Sequence, residues 1–359
     1  MISLIARALH RDGQPPPAQA KRINLALQGG GAHGAFTWGV LDHLLEDGRL
    51  AIDGISGTSA GAMNAVMLAD GLARGGPEEA RKRLHDFWRA ASLGGDLPAV
   101  QRAVTDRLFS LLPAEDSPAQ NWLSAWSGFF SPYDLNPLNI NPLKDLIERF
   151  VDFSVLRAGP RELFIAATNV QTGQLHVFTH KTISAEAVMA SACLPAVFRA
   201  VEIDGVPYWD GGYLGNPVIV PFLRTTETED VLVVQINPLV RKKVPRTNRE
   251  IVSRVREISF NSSLLVELRS IAYVNRLIDE GRLPRGRGDN EYRRINLHRI
   301  VLEGLGEQFS SSSKLRNDYE SFGLLRKLGQ RAARRFLDAH FEQIGRESTV
   351  DLDAEIRTR

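Results

Sequence analysis

The apolar positions of this chain fall into alternating strand-like and helix-like runs. Ile23-Asn24-Leu25-Ala26-Leu27 reads as a strand entering a core, and Ala35, Phe36, Trp38, Val40, Leu41, Leu44 and Leu45 follow at helical spacing. The unit repeats: an apolar run closes on Ile55-Ser56-Gly57, and Ala62, Met63, Ala65, Val66, Met67 and Leu68 read as the helix after it. The pattern predicts further helix over 72–96, broken at Gly94-Gly95, and from Asn141-Pro142-Leu143 to Phe150. Arg161–Val170 and Gln174–Thr179 read as strands joined by the turn Gln171-Thr172-Gly173, and 183–193 as a helix stopped by Cys193-Leu194-Pro195. Val201-Glu202-Ile203 and Val206-Pro207-Tyr208-Trp209 flank Asp204-Gly205, a hairpin signature. Val231–Ile236 is a continuous apolar run, the mark of a strand buried on both faces. Beyond it the sequence predicts one long helix or two over Ile251–Leu283, and an edge strand over Tyr292–Leu302. A Ser310–Ser313 loop then caps a helix over 314–345, and Glu347–Arg359 reads as a loose end. Strands alternating with helices predict an α/β fold, a mostly parallel sheet between helical layers.

Composition narrows this picture only a little. The 359 residues are 43% apolar and 24% charged, ordinary for a globular chain large enough to bury its own core. A net charge of +2 gives no reason to expect nucleic acid. Cys193 is the only cysteine, so it is read as a small core residue; no intramolecular disulfide can form, and a reducing, cytoplasmic location fits. No Cys/His metal cluster is visible. Met1–Leu9 is apolar but lacks a basic leader and a cleavage site, so no signal peptide is expected. No run approaches the roughly 18 apolar residues of a membrane span. Residues 11–21, with Pro15-Pro16-Pro17, read as an extended linker. Residues 97–143 are rich in Pro, Ser and Asn and carry Trp122, Trp126, Phe129, Phe130 and Tyr133; they read as an insertion, either packed on the body or serving as a lid.

Three stretches carry chemistry. Gly57-Thr58-Ser59-Ala60-Gly61 has the form G-x-S-x-G between a strand and a helix, the pattern of a nucleophile elbow. An ordinary glycine-rich turn would look the same by itself. Gly29-Gly30-Gly31-Ala32-His33-Gly34 joins the first strand to its helix, an anion-binding geometry. It matches the dinucleotide fingerprint, which wants an acid at the end of the second strand; Asp53 lies at that strand's start instead. The other reading is an oxyanion hole built from the N–H groups of Gly30 and Gly31. His33 beside it is a candidate auxiliary residue, although a histidine at a helix start is more often a surface or capping group. The third stretch, Asp210-Gly211-Gly212, ends the second hairpin strand. Its carboxylate could approach another element closely and act as a base on Ser59, or simply make an Asx turn.

Together these stretches resemble the patatin-like phospholipases over residues 22–222, and Ala190–Phe198 is similar to that family too. The resemblance implies a three-layer α/β/α sandwich and a Ser–Asp dyad, with Ser59 as nucleophile and Asp210 as base. It implies an oxyanion hole from Gly29, Gly30 and Gly31, with Gly57, Gly61, Gly211 and Gly212 in support and no metal or cofactor. Acyl esters of glycerolipids and lysophospholipids are the implied substrates. His33 departs from the Arg or Lys common in the family, which puts a fixed positive charge at the loop in doubt. The rival is a Ser–His–Asp hydrolase, with His298 or His340 as base; but only 22 residues separate Gly34 from Gly57, room for a single helix. Other esters, such as thioesters or hydroxyacyl polyesters, stay open for the same dyad, and a non-catalytic lipid- or nucleotide-binding protein is the remaining alternative.

The expected organisation is a segment and linker over 1–21, a catalytic domain over 22–222, and a strand with helical extension over 223–359 packed on the same domain. That last third resembles extensions of bacterial patatin-like proteins. Its basic zone, 241–256, is either a solvated face or a contact for an anionic membrane surface. The sequence leaves self-association open.

Overall fold

Among the described residues eight strands form one sheet: β1 (Lys21–Leu27), β2 (Leu50–Gly57), β3 (Glu162–Asn169), β4 (Leu175–Thr179), β5 (Val201–Ile203), β6 (Val206–Asp210), β7 (Asp230–Gln235) and β8 (Asn296–Val301). The structure is a computed structural model that describes residues 20–92, 133, 141–195, 198–241, 243–303, 319–352 and 354. Most of the expected N-terminal segment, most of the 97–143 insertion and the Ser310–Ser313 loop lie outside the described residues. The strand order is β5-β6-β3-β2-β1-β7-β8, with β4 also paired to β3. The run β3-β2-β1-β7-β8 is parallel, and β4, β5 and β6 add antiparallel pairs.

Side-chain alternation along the strands assigns the two faces. Leu25, Leu27, Leu163, Ile165, Leu232 and Val234 enter one core cluster, and Ala26, Phe164, Ala166, Val231 and Val233 enter the other. The first cluster packs under α1 (Gly34–Asp47), α2 (Ala60–Ala91), α3 (Pro142–Phe150), α4 (Phe153–Ala158) and α5 (Ala185–Ser191). The second packs under α6 (Phe222–Thr225) and the long α7 (Asn248–Asp279). The result is a mixed sheet with helices on both sides, as the alternation of elements predicts.

Two differences from the sequence reading have local causes. The expected helix over 72–96 is the second half of α2, which breaks at Gly75 and Gly76; Gly76 has φ 72°, and Pro77 restarts the helix. The chain end is not loose as far as residue 352. Thr349 and Val350 donate their N–H groups to the Leu297 carbonyl, Ser348 Oγ accepts from Leu297 N–H, and Leu352 is buried.

The C-terminal third completes the sheet. β7 lies beside β1 in its middle, and β8 forms its edge. α8 (Tyr319–His340) lies against α1, burying Phe322, Leu325, Ala333, Phe336 and Leu337. At their crossing a Cβ on Gly39 would collide with the Arg326 carbonyl, so the backbones touch there.

Candidate active site

The glycine loop and the elbow leave adjacent parallel strands at the same level, because Leu27 pairs with Gly57 across β1 and β2. Both therefore open at the C-terminal edge of the sheet. Gly57 closes β2, Thr58 N–H bonds back to the Leu27 carbonyl, and the chain reverses into α2. Ser59 takes φ 54° and ψ −121°, a conformation that costs a non-glycine residue about 1–3 kcal/mol. Several contacts hold it there. Its N–H donates to Ser191 Oγ at 2.9 Å, and Thr58 Oγ1 donates to the Gly215 carbonyl at 2.6 Å. Gly61 meets the Leu27 carbonyl so closely that any Cβ would collide with it. Gly29 sits against the elbow in the same way, since a Cβ there would lie 2.5 Å from the Thr58 carbonyl oxygen.

Asp210 reaches this elbow through the register of β3. Ile165 pairs with Gly57 of β2 on one edge and with Phe178 of β4 on the other. Ala167, two residues further, pairs with His176 of β4 and with Asp210 of β6. β6 must therefore run along the edge of β3 that β2 has just left, in the opposite direction. Asp210 occupies the ladder position that Ser59 would have held had β2 continued straight. Gly211 follows at once, and a side chain there would collide with the Ala166 carbonyl.

The Asp210 carboxyl is fully buried. Oδ1 accepts from Gly212 N–H at 2.7 Å, which is the Asx turn expected of Asp before Gly. Burial pushes its pKa up to about 7, against the lowering effects of the Gly212 N–H and the Ser59 hydroxyl. Oδ2 has no partner of full hydrogen-bond geometry. The Ser59 hydroxyl is thus a loosely aligned neighbour of the carboxyl, as is common before substrate tightens a site.

Of the three loop glycines, Gly30 and Gly31 line the cavity that holds Ser59. Their N–H groups donate to no other described residue. Gly29 differs from the expectation: its N–H donates to Asn216 Oδ1 at 2.6 Å, and its carbonyl accepts from Asn237 Nδ2 at 2.7 Å. Gly29 therefore fixes the loop and has no N–H to offer a ligand. Ala60, the first residue of α2, also lines the cavity. His33 is buried in the turn that follows and is not among the lining residues.

The sequence reading missed the side chains that hold the loop. Gln28 Oε1 accepts from the N–H groups of Ile236 and Asn237, each at 2.8 Å, and its Nε2 donates to Asn261 Oδ1 at 3.0 Å. Asn216 N–H donates to Ser263 Oγ at 3.1 Å, and Ile219 N–H to Glu267 at 2.6 Å. Burial pushes the Glu267 carboxyl up to about 7. Asn261, Ser263 and Glu267 all belong to α7, so this helix braces the segment 215–219, which in turn holds both the elbow and the glycine loop. No local pattern signals these residues, because each is a lone polar group whose partner lies far away in sequence.

The cavity has a volume of about 150 Å³. Its walls are mostly apolar, with Met63, Phe87, Trp88, Leu143, Leu194 and Phe322 among them, while Ser253, Arg256 and Glu257 of α7 contribute polar groups. A larger open cleft of about 410 Å³ lies at the other end of the strands, around Lys21, Arg22, Asp230 and Asn296. Its charged groups pair with one another, as Arg285 does with Glu229 at 2.6 Å, so the serine cavity is the candidate site.

The rival readings find no support in the geometry. Asp53 pairs with Arg22 and accepts from the Glu227 and Thr228 N–H groups at the N-terminal end of the sheet, away from the glycine loop. His298 is buried three strands from β2, where Nε2 meets Asp230 at 2.9 Å and Nδ1 meets Thr349. His340 meets Gln343 at the end of α8. Cys193 is buried with its pKa pushed up to about 12, and its carbonyl accepts the Asp210 N–H. The basic zone is not one charged face: Arg241 and Arg254 turn inward onto Glu257, at 2.7 and 3.3 Å.

A family model for patatin-like phospholipases matches residues 25–223, more than half of the chain. The chain belongs to the patatin-like phospholipase family. Membership makes this patatin-like protein a lipid ester hydrolase in general terms. Among solved structures it is similar to VipD from Legionella pneumophila, with 16% identity over 90% of this chain and 67% of that one, at a TM-score of 0.43. It is also similar to the type III effector protein ExoU, with 17% identity over 94% of this chain and 56% of that one, at a TM-score of 0.36. ExoU in its heterodimeric complex with SpcU, from the type III secretion system of Pseudomonas aeruginosa, is 22% identical over 70% of this chain and 51% of that one, at a TM-score of 0.29. The patatin-like protein thus spans little more than half of these two ExoU chains. No curated protein sequence matches it. Among its described residues no helix is long and apolar enough to cross a membrane.

Proposed function

We propose that the protein hydrolyses acyl esters of lipids through a Ser59–Asp210 dyad. The observation that carries this reading is the pairing of a conformationally strained serine with a fully buried carboxyl whose pKa is pushed up to about 7. A base is most effective when its pKa lies near the working pH, and an ordinary surface aspartate lies about three units too low. In the deprotonated enzyme Asp210 takes the Ser59 proton as Oγ attacks the ester carbonyl. The carbonyl π pair moves onto oxygen, and the N–H groups of Gly30, Gly31 and Ala60 stabilise that charge. Collapse breaks the ester C–O bond, and the proton held by Asp210 passes to the leaving alcohol. Water then attacks the acyl-enzyme with Asp210 again as base; the fatty acid leaves, and Ser59 Oγ recovers its proton. The apolar walls suit an acyl chain. The N–H groups of Gly61, Ala62 and Met63 are taken by the Thr58 and Ser59 carbonyls, so the N–H that α2 brings to the oxyanion is that of Ala60.

The test is hydrolysis of p-nitrophenyl esters and of a lipid panel read by mass spectrometry, with Ser59→Ala as the control. Turnover should vanish in the variant, and a fluorophosphonate probe should label the parent rapidly but Asp210→Asn slowly. Unchanged turnover removes Ser59 as nucleophile, and normal labelling removes Asp210 as base.

A further inference from the structure

Helix α7 is apolar on two sides. Its inner side closes the site: Phe260 lines the serine cavity, and Leu264 and Leu268 enter the second core cluster. Its outer side carries Ile251, Val255, Ile258, Val266 and Tyr273, which are 43%, 57%, 54%, 59% and 57% exposed. Their spacing of four, three, eight and seven residues keeps all five on one stripe of the helix. Val240 and Val244, 80% and 79% exposed, extend the patch into the segment that leads into α7. The stripe is densest at Ile251, Val255 and Ile258; further along it the exposed Ser262 and Arg269 alternate with Val266 and Tyr273. Apolar side chains clustered on an exposed face mark an interaction site.

The charge around the stripe selects the partner. Residues 240–260 contain seven Lys or Arg and two Asp or Glu, a local excess of +5 in a chain whose net charge is +2. Arg241 and Arg254 are spent on Glu257, but Arg246 and Arg256 stand exposed in the same stretch as the apolar positions. The exposed acid of this stretch, Glu250, is turned back to cap α7. A second copy docked symmetrically would set this cationic face against itself. An anionic lipid surface satisfies both features, taking the apolar stripe into its acyl boundary and the cations at its headgroups.

We infer that the outer face of α7 docks on an anionic phospholipid bilayer and that this docking sets the serine cavity at the lipid surface. The inference rests on the reading of the site as a lipid ester hydrolase. Ser253, Arg256 and Phe260 of the same helix line the cavity, so a bilayer on the outer face lies about one helix diameter, roughly 10 Å, from the site. A lipid ester then enters between α7 and the glycine loop without crossing bulk water.

The experiment uses the full chain carrying Ser59→Ala, which cannot consume the lipid. Sedimentation is measured with vesicles of phosphatidylcholine and phosphatidylglycerol (3:1) and with pure phosphatidylcholine. The protein should sediment with the anionic vesicles and be released by salt. Adding Val255→Asp and Ile258→Asp should weaken that binding at least about tenfold, since each removes a branched apolar side chain from the contact. In a Ser59 background the same double substitution should leave hydrolysis of soluble p-nitrophenyl butyrate unchanged, which shows that the fold is intact. Equal binding to pure phosphatidylcholine, unchanged sedimentation of the double variant, or a lipid-free dimer that the substitutions dissolve would overturn the inference. Failure of the parent to hydrolyse any ester would instead overturn the function proposed for the site, because sedimentation does not depend on turnover.

Discussion

Asp210→Asn should cost the protein its activity and return stability, by an amount that depends on pH. The native carboxyl is pushed from an ordinary value of 3.8 up to about 7 by burial. An acid with a raised native pKa binds its proton more tightly folded than unfolded. The folded state therefore has its full advantage below the unfolded value and loses it as pH rises through the native one. The gap of about three units corresponds to about 4 kcal/mol, and about 3 kcal/mol of that develops between pH 5 and pH 8.5. The amide of the variant does not titrate, its oxygen can still accept from Gly212 N–H, and its NH2 can donate towards Ser59. Urea unfolding of parent and variant at pH 5, 7 and 8.5 measures the effect. The stability of the variant relative to the parent should grow by about 3 kcal/mol across that range. Glu267 also titrates near 7 but is present in both proteins, so it cancels in the difference. In parallel, kcat/KM of the parent should rise with pH to a plateau above about 7, and the variant should be inactive throughout. A relative stability that is the same at pH 5 and pH 8.5 would refute the argument, because the native carboxyl would then titrate as it does in the unfolded chain.

Two further expectations concern the scaffold of the site. Asn216→Ala leaves the Gly29 N–H buried without an acceptor, so stability should fall by about 1–3 kcal/mol, measured by denaturant unfolding. Turnover should fall at least tenfold with little change in KM, since Asn216 does not line the cavity; a change in KM alone would contradict the positioning role. Ser59→Gly removes the strain of φ 54° and should raise the unfolding free energy by about 1 kcal/mol while abolishing turnover. A less stable variant would show that contacts of the serine side chain outweigh its backbone strain.

The sheet and its order of elements were legible because apolar runs punctuated by glycine are local signals. Leu25 and Leu27 before Gly29, and Ile55 before Gly57, announce strands whose loops must open on one edge. The hairpin at Asp204-Gly205 was legible for the same reason, and both residues take positive φ, 51° and 77°. The bracing of the site was not legible. Gln28, Ser191, Asn216 and Asn237 look like unremarkable polar residues until partners far along the chain are brought beside them. Which cations of the basic zone face outward was not legible either, because Glu257, one residue past the zone, draws Arg241 and Arg254 inward. Helix α7 hid its outer stripe because apolar residues on both sides blur the helical period by which an exposed face is recognised.

β3 acts as a ruler for the chemistry. Two positions on this one strand, Ile165 and Ala167, set the separation between the end of β2 and the carboxyl of β6. The connections on either side can lengthen at the surface without altering that separation, since neither spans it. A slip of β6 by a single residue along β3 would be ruinous, because it would turn the Asp210 side chain to the opposite face of the sheet. Tolerance of insertions and intolerance of register error thus follow from the same three-strand junction.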